Sequence, residues 1–252
     1  MNIKMIATDL DDTLLRDDKT ISDITKAALV KCRDRGIKVV YATARGQSAP
    51  ALVPIDLIDG FTQMNGAVAF AGESLIYSKH ISIASSRDFL LAADNAGIQI
   101  AVETGGRHYA NFDVGEVWGW VTNYTVSDFA ALDINAEKIY ALPKSDSEID
   151  LLKKHLPKNT YLIISRYDNF TMIMHEDAGK AKAVAALADH WNISIKDVVA
   201  FGDDTNDIGM LRHCGIGVAM GNAIDEVKSA ADDICDTNEN DGIAKWLEKH
   251  VL

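Results

Sequence analysis

Cysteine is scarce in this chain: three in 252 residues. Cys32, Cys214 and Cys235 lie far apart and share no metal-ligand spacing, which excludes a disulfide framework and a thiolate metal centre. Each reads as a small core or surface residue, and the sparse, odd set suits a reducing cytoplasm. No Pro-, Gly- or Ser-rich tract marks a linker or a low-complexity segment. No apolar run approaches the roughly 18 residues of a membrane span. The opening stretch, residues 3–7, is too short and interrupted for a secretory leader. Positive charge is also short: 25 Lys and Arg stand against 37 Asp and Glu, for a net charge of −12. That field repels nucleic acid and anionic lipid, so neither is an expected partner. An anionic substrate then has to be met by a metal or by a few placed cations. The expectation is a cytoplasmic chain, monomeric or a small homo-oligomer.

What is present is ordinary globular composition, 48% hydrophobic and 25% charged, in a length that suits one main domain and a smaller one. Residues 3–7 read as a buried strand that stops at Thr8-Asp9-Leu10-Asp11-Asp12. Residues 22–35 read as a helix, with Ser22 to cap its start and Gly36 to stop it. Residues 37–42 form a second strand ending at Thr43, which makes a parallel βαβ unit. The same grammar returns late: helix 180–190, strand 198–201 ending at Gly202-Asp203, helix 207–213, strand 217–220 and helix 223–231. Both ends of the chain therefore build one doubly wound α/β sheet. Between them the pattern is helix 86–96, strand 98–103, a Gly105-Gly106 turn and a returning strand 108–112. Strand 138–142, helix 146–155 and strands 160–165 and 170–174 follow, with an irregular Trp118/Trp120 segment in between. Antiparallel hairpins suit an inserted α+β domain. The expected division is 1–82 core, 83–173 insert and 174–252 core.

Three core strands end in polar groups: Asp9 and Asp11, then Thr43, then Asp203. Open α/β sheets bind ligands outside the carboxyl ends of their strands, so these groups are expected to meet in one crevice. Asp9-x-Asp11 by itself equally describes a strand running into a charged turn. The second cluster, Gly202-Asp203-Asp204-Thr205-Asn206-Asp207, equally describes a polar turn capping the next helix through Asn206 or Asp207. Four carboxylates at one sheet edge would raise each other's pKa values. A hard divalent cation relieves this, and oxygen donors without His or Cys suit Mg²⁺. Lys180 follows Gly179 at a helix start, where the helix dipole disfavours a cation. A crevice carboxylate and a phosphate oxygen as partners would explain it; taken alone, Lys180 reads first as an exposed helix lysine.

The order of these motifs resembles that of the haloacid dehalogenase superfamily, in particular its Cof-like type IIB sugar-phosphate phosphatases. The resemblance rests on Asp9-Leu10-Asp11-Asp12-Thr13-Leu14-Leu15, Ala42-Thr43-Ala44-Arg45, Lys180 and Gly202-Asp203-Asp204-Thr205-Asn206-Asp207-Ile208. Asn65-Gly66-Ala67, residues 217–223 and Asn240-Asp241-Gly242 are similar to the same group. Asp12 and Asp204 depart from it, standing where many relatives carry Gly. The resemblance implies a Rossmann-like core with an inserted C2-type cap, and a Mg²⁺-dependent phosphatase acting on a small phosphorylated metabolite. It implies Asp9 as the nucleophile that becomes an aspartyl phosphate. It implies Asp11 as general acid and then base, its carboxyl kept partly protonated by neighbouring carboxylates. Asp9, the Asp11 carbonyl and Asp203 would hold the metal, with Asp207 in a supporting place. Thr43, the Ala44 amide, Lys180 and Asn206 would hold the phosphoryl oxygens. Arg45 is either a substrate contact or a salt-bridge partner. Asn65 is a further candidate for substrate contact. Arg107 and Tyr109, after the Gly105-Gly106 turn, are candidates for leaving-group selection, against an ordinary exposed hairpin.

A phosphosugar mutase using the same aspartyl phosphate is the rival within enzymes. A receiver-like signalling module is the rival outside them, opposed by the large insert and the second acidic cluster. No G-x-x-x-x-G-K-[ST], H-E-x-x-H or G-x-S-x-G motif points to other chemistry.

Overall fold

The computed structural model of the protein describes residues 2–165 and 170–252. The chain divides into two compact units, Met1–Ser78 with Gly179–Leu252, and Lys79–Ala178. The second unit is wider at both ends than the expected insert. The strand before it ends only at Ser78, and the last strand inside it runs to His175.

The first unit opens with β1 (Met5–Thr8), α1 (Asp23–Asp34), β2 (Lys38–Ala42), β3 (Gly60–Gln63), β4 (Val68–Ala71) and β5 (Ser74–Ser78). The second unit holds α2 (Ile83–Asn95), β6 (Gln99–Thr104), β7 (Arg107–Ala110), α3 (Val114–Val117), β8 (Tyr124–Val126), β9 (Lys138–Leu142), α4 (Asp146–Lys154), β10 (Thr160–Ile164) and β11 (Thr171–His175). The chain returns to the first unit with α5 (Lys180–His190), β12 (Val198–Gly202), α6 (Ile208–His213), β13 (Ile216–Ala219), α7 (Asp225–Ala230), β14 (Asp233–Ile234) and α8 (Gly242–His250).

The sheet of the first unit runs β14-β13-β12-β1-β2-β3-β4-β5. It is parallel from β14 to β3, and β4 and β5 add an antiparallel edge. That edge hairpin was not legible in the sequence, because β5 alternates only weakly and stays half exposed. All four residues of β1 are buried, so a continuous apolar run is what a strand covered on both faces requires. The chain winds outward from β1 through β2 to β3, then returns on the other side at β12. The winding direction therefore reverses between β1 and β12, which makes the crevice beyond their carboxyl ends the binding place of such a sheet.

α1 shows how its sequence dictates its packing. The Ser22 hydroxyl accepts from the Thr25 N–H at 3.0 Å, satisfying one orphan donor of the first turn. Thr25, Ala28, Leu29 and Cys32 are its buried residues, spaced three and four apart on one face. Burial of Leu29 alone is worth roughly 2 kcal/mol. The helix ends where the Gly36 N–H donates to the Arg33 carbonyl at 2.8 Å.

Asp59 ties this helix to the sheet. Its carboxylate accepts from Val39 N at 3.0 Å, Arg33 Nε at 3.2 Å and Lys38 Nζ at 3.1 Å. Burial pushes its pKa up, but these donors together hold it below the ordinary carboxylate value. A folded pKa below the unfolded one gives stability that is present above the unfolded value, ~3.9, and lost as pH falls through the folded one. Asp59→Asn is expected to lower the unfolding free energy on the order of 1 kcal/mol at pH 7. In urea titrations the gap to the parent should close towards pH 3; a gap that persists there would mean the carboxylate charge is not the stabilising element.

The second unit is a six-stranded sheet in the order β10-β11-β9-β6-β7-β8, antiparallel except for β7 with β8. One face, through Ile100, Val102, Ile139 and Ile173, packs with Phe89 and Leu90 of α2 and Leu152 of α4. On the other face Ala101, Ala110 and Tyr140 cluster with Phe112 and Val114, and Trp118 and Phe170 pack against them. Gly105 and Gly106, at φ 54 and 73, make the tight turn between β6 and β7. The segment expected to be irregular contains α3 and β8, with Trp118 stacked on Trp120.

Candidate active site

Four segments of the first unit converge at the winding reversal. β1 ends at Thr8, and the Asp9 N–H donates to the Phe201 carbonyl of β12 at 3.0 Å. β12 ends at Gly202, so Asp203 leaves the sheet beside Asp9. α5 begins at Lys180, whose Nζ lies 2.7 Å from both Asp9 Oδ1 and Asp207 Oδ1. Carboxylate oxygens of Asp9, Asp203 and Asp207 all fall within 4.8 Å of one another. Gly202 makes this possible: a Cβ there would sit 2.5 Å from the Asp207 Cβ. Asp207 folds back beneath the strand end, where its Oδ2 accepts the N–H groups of Asp203 and Asp204 at 3.1 Å each. Both its oxygens are thus engaged with protein. Asp204 caps the turn Thr205–Asp207, reciprocally with Asp207; Asp207 also stands at the N-cap position of α6 but gives that helix no side-chain cap bond.

The electrostatics are those of a site short of positive charge. Three buried or half-buried carboxylates face one ammonium. Burial raises the Asp9 pKa well above the ordinary carboxylate value; Lys180 opposes this, and the charges of Asp207 and Asp203 add to it. Burial also raises Asp203, to about 7, although the Thr13 hydroxyl donates to its Oδ1 at 2.6 Å. Lys180 is 2% exposed, and burial works against its charge, but Asp207 and Asp9 outweigh it and keep it protonated. The oxygen-only donor set and the unmet negative charge fit a hard divalent cation such as Mg²⁺.

Asp11 stands in a different environment from the one expected. Crowding by carboxylates was to keep it partly protonated. Instead Arg45 grips it twice, Nε to Oδ2 at 2.6 Å and Nη2 to Oδ1 at 2.7 Å, and Lys19 Nζ lies 2.9 Å from Oδ1. Burial raises its pKa, but the hydrogen bonds of Arg45 and Lys19 prevail and hold it below the ordinary value. Arg45 is accordingly a salt-bridge partner. Asp12 takes φ 55, the left-handed conformation in which Gly is at ease. Asp204, at φ −117, needs no such freedom.

The remaining candidates distribute as follows. Thr43 is buried, and its hydroxyl accepts the Arg45 N–H at 3.1 Å, while the Ala44 N–H has no acceptor among the described residues. Asn206 Nδ2 donates to Asn65 Oδ1 at 3.2 Å, which joins two candidates into one pair. In the second unit Arg107 donates to Thr125 Oγ1 at 3.0 Å. Tyr109 lies along β7, half-buried against that unit's apolar core. Thr13 and Lys19 escaped the sequence reading. Thr13 lies inside the first motif, which was a usable signal; Lys19 lies in a charged turn with no pattern of its own.

Residues 6–247 match the family profile of the haloacid dehalogenase-like hydrolases. Among curated proteins, the 5-amino-6-(5-phospho-D-ribitylamino)uracil phosphatase YcsE of Bacillus subtilis (strain 168) is 31% identical over 256 residues, covering 100% of this chain and 97% of its own. Among solved structures, the subclass IIB sugar phosphatase BT4131 superposes with a TM-score of 0.85 at 26% identity, over 98% of both chains. BT1666 from Bacteroides thetaiotaomicron, described among phosphatases of the same enzyme superfamily, gives 0.83 at 28% identity over 98% and 94%.

Proposed function

This chain belongs to the haloacid dehalogenase-like hydrolase family, and from that premise we propose that it hydrolyses small phosphate monoesters, sugar phosphates or similar, through an aspartyl phosphate on Asp9 with Mg²⁺. Its class is that of its relatives, the phosphoric monoester hydrolases. The observation that carries the reading is the state of Asp9. Its Oδ1 is pinned by Lys180 at 2.7 Å, while its Oδ2 accepts no hydrogen bond among the described residues. One oxygen is oriented and the other is left to attack.

In the first step an Asp9 oxygen bonds to phosphorus and the ester P–O bond breaks. The leaving oxygen takes a proton from Asp11. In the second step water attacks the aspartyl phosphate, Asp11 takes its proton, and phosphate leaves. Thr43, the Ala44 N–H, Lys180 and Asn206 hold the phosphoryl oxygens, and Asp207 keeps Lys180 in place. Asp9, Asp203 and the Asp11 carbonyl would hold Mg²⁺, which when bound would supply charge neutralisation for the phosphoryl group.

Because the site's own cations do not balance its acids, chelation is expected to lower turnover by about 10²–10³-fold, and added Mg²⁺ to restore it. Unchanged activity in EDTA after dialysis would remove the metal from the reading. The broader test is phosphate release from sugar phosphates, phosphorylated ribitylamines and small phospho-acids, with and without Mg²⁺. Free phosphate supports the hydrolase. An isomerised hexose phosphate with no phosphate released would assign a mutase, and no turnover of any monoester would sink the proposal.

A further inference from the structure

Lys19 belongs to none of the motifs around Asp9, yet it reaches the same carboxylate as Arg45. Its Nζ lies 2.9 Å from Asp11 Oδ1 and 3.7 Å from Asp12 Oδ1. The backbone is bent to put it there. Lys19 takes φ 65, the left-handed region that costs a lysine conformational energy. The turn is closed by Arg16 N–H to the Thr20 carbonyl and Lys19 N–H to the Arg16 carbonyl, both at 2.9 Å. Asp18 Oδ1 accepts from both the Thr20 N–H and its hydroxyl, at 2.9 and 2.6 Å.

With Arg45 on both oxygens and Lys19 on one, Asp11 accepts at both oxygens here, the form it holds once it has protonated the leaving oxygen of the first step. Oδ2 takes a single N–H bond, which leaves it a lone pair. That is the form of a base. We propose that Lys19 is a positioning residue for the second half-reaction, holding Asp11 where it takes the proton from the water that breaks the aspartyl phosphate. In that step the water oxygen bonds to phosphorus and the P–O bond to Asp9 breaks. The electron pair returns to the Asp9 carboxylate, and the water's proton passes to Asp11. The inference rests on Asp9 as the nucleophile.

The test uses the whole protein with Mg²⁺ and 4-nitrophenyl phosphate, whose leaving group needs no proton, so that phosphorylation of Asp9 is spared. Acid quenching traps the phospho-enzyme and its decay is timed. Lys19→Met is expected to slow that decay about tenfold and to raise the steady-state phospho-enzyme, with kcat falling and kcat/KM within about twofold of the parent. Lys19→Arg restores most of the rate. Decay at the parent rate in Lys19→Met would overturn the inference. So would an equal fall in kcat and kcat/KM without accumulation, which assigns Lys19 a general structural role. A parent that traps no phosphate on Asp9 would bring down the nucleophile assignment and this inference together, whereas normal trapping with normal decay in the variant sinks the inference alone.

Discussion

Asp9→Asn is expected to lower kcat by at least about four orders of magnitude, the scale of losing a nucleophile that acts as one unit with its neighbours. Asn keeps the volume, and its amide oxygen can still accept from Lys180. It cannot form the acyl phosphate. The fold should not suffer. Asp9 is 7% exposed, and burial together with the charges of Asp207 and Asp203 already penalises its ionised form. Removing one of three crowded charges leaves Lys180 paired with Asp207 at 2.7 Å. The melting temperature is therefore expected to stay level or rise slightly. Phosphate release and a thermal melt on the same preparation check both parts. Turnover within tenfold of the parent would refute the nucleophile.

Lys180→Met is expected to do the opposite to stability. Met fills the space of the lysine stem but leaves the carboxylates of Asp9 and Asp207 buried with no cation between them. Breaking a buried pair from one side costs about 3–5 kcal/mol, because the remaining charge has neither water nor partner. Turnover should fall as well, by about 10²–10³-fold, since the ammonium also faces the developing phosphoryl charge. The pH dependence follows from the signs. Lys180 has a folded pKa raised by Asp207 and Asp9. The lysine's own titration therefore leaves its contribution complete below the unfolded value, ~10.4, and removes it as pH rises through the folded one. The deficit of the variant is then full at pH 7 and shrinks in acid, where the abandoned carboxylates take up protons. Urea unfolding at pH 7 and at pH 5 measures this. Equal stability of variant and parent at pH 7 would show that the lysine does not compensate these acids.

Much of the frame was legible because local rules and global packing agree. The unbroken apolar run of β1 announced a strand buried on both faces, and α1 carried its cap, its stripe and its stop in its own letters. Acids at two strand ends foretold that Asp9 and Asp203 would meet. The β4–β5 hairpin was missed, since a half-exposed edge strand leaves little pattern. The packing of Tyr109 was not legible: alternation along β7 decides which side chains join the apolar layer, and a turn motif does not reveal that register. Asp11 was misjudged in its surroundings. Its neighbours in the chain are acids, but its neighbours in space are Arg45 and Lys19.

By itself the amino-acid sequence determined the kind of sheet, the acids at its strand ends, the lysine at a helix start and the family to which these belong. Tertiary structure alone decided what each acid experiences. Thr13 donates to Asp203 across 190 positions of sequence, and Lys180 reaches Asp9 across 171. Coulombic and hydrogen-bond energies change over a few ångströms. Charge states are therefore settled by folded distances that no spacing along the chain encodes.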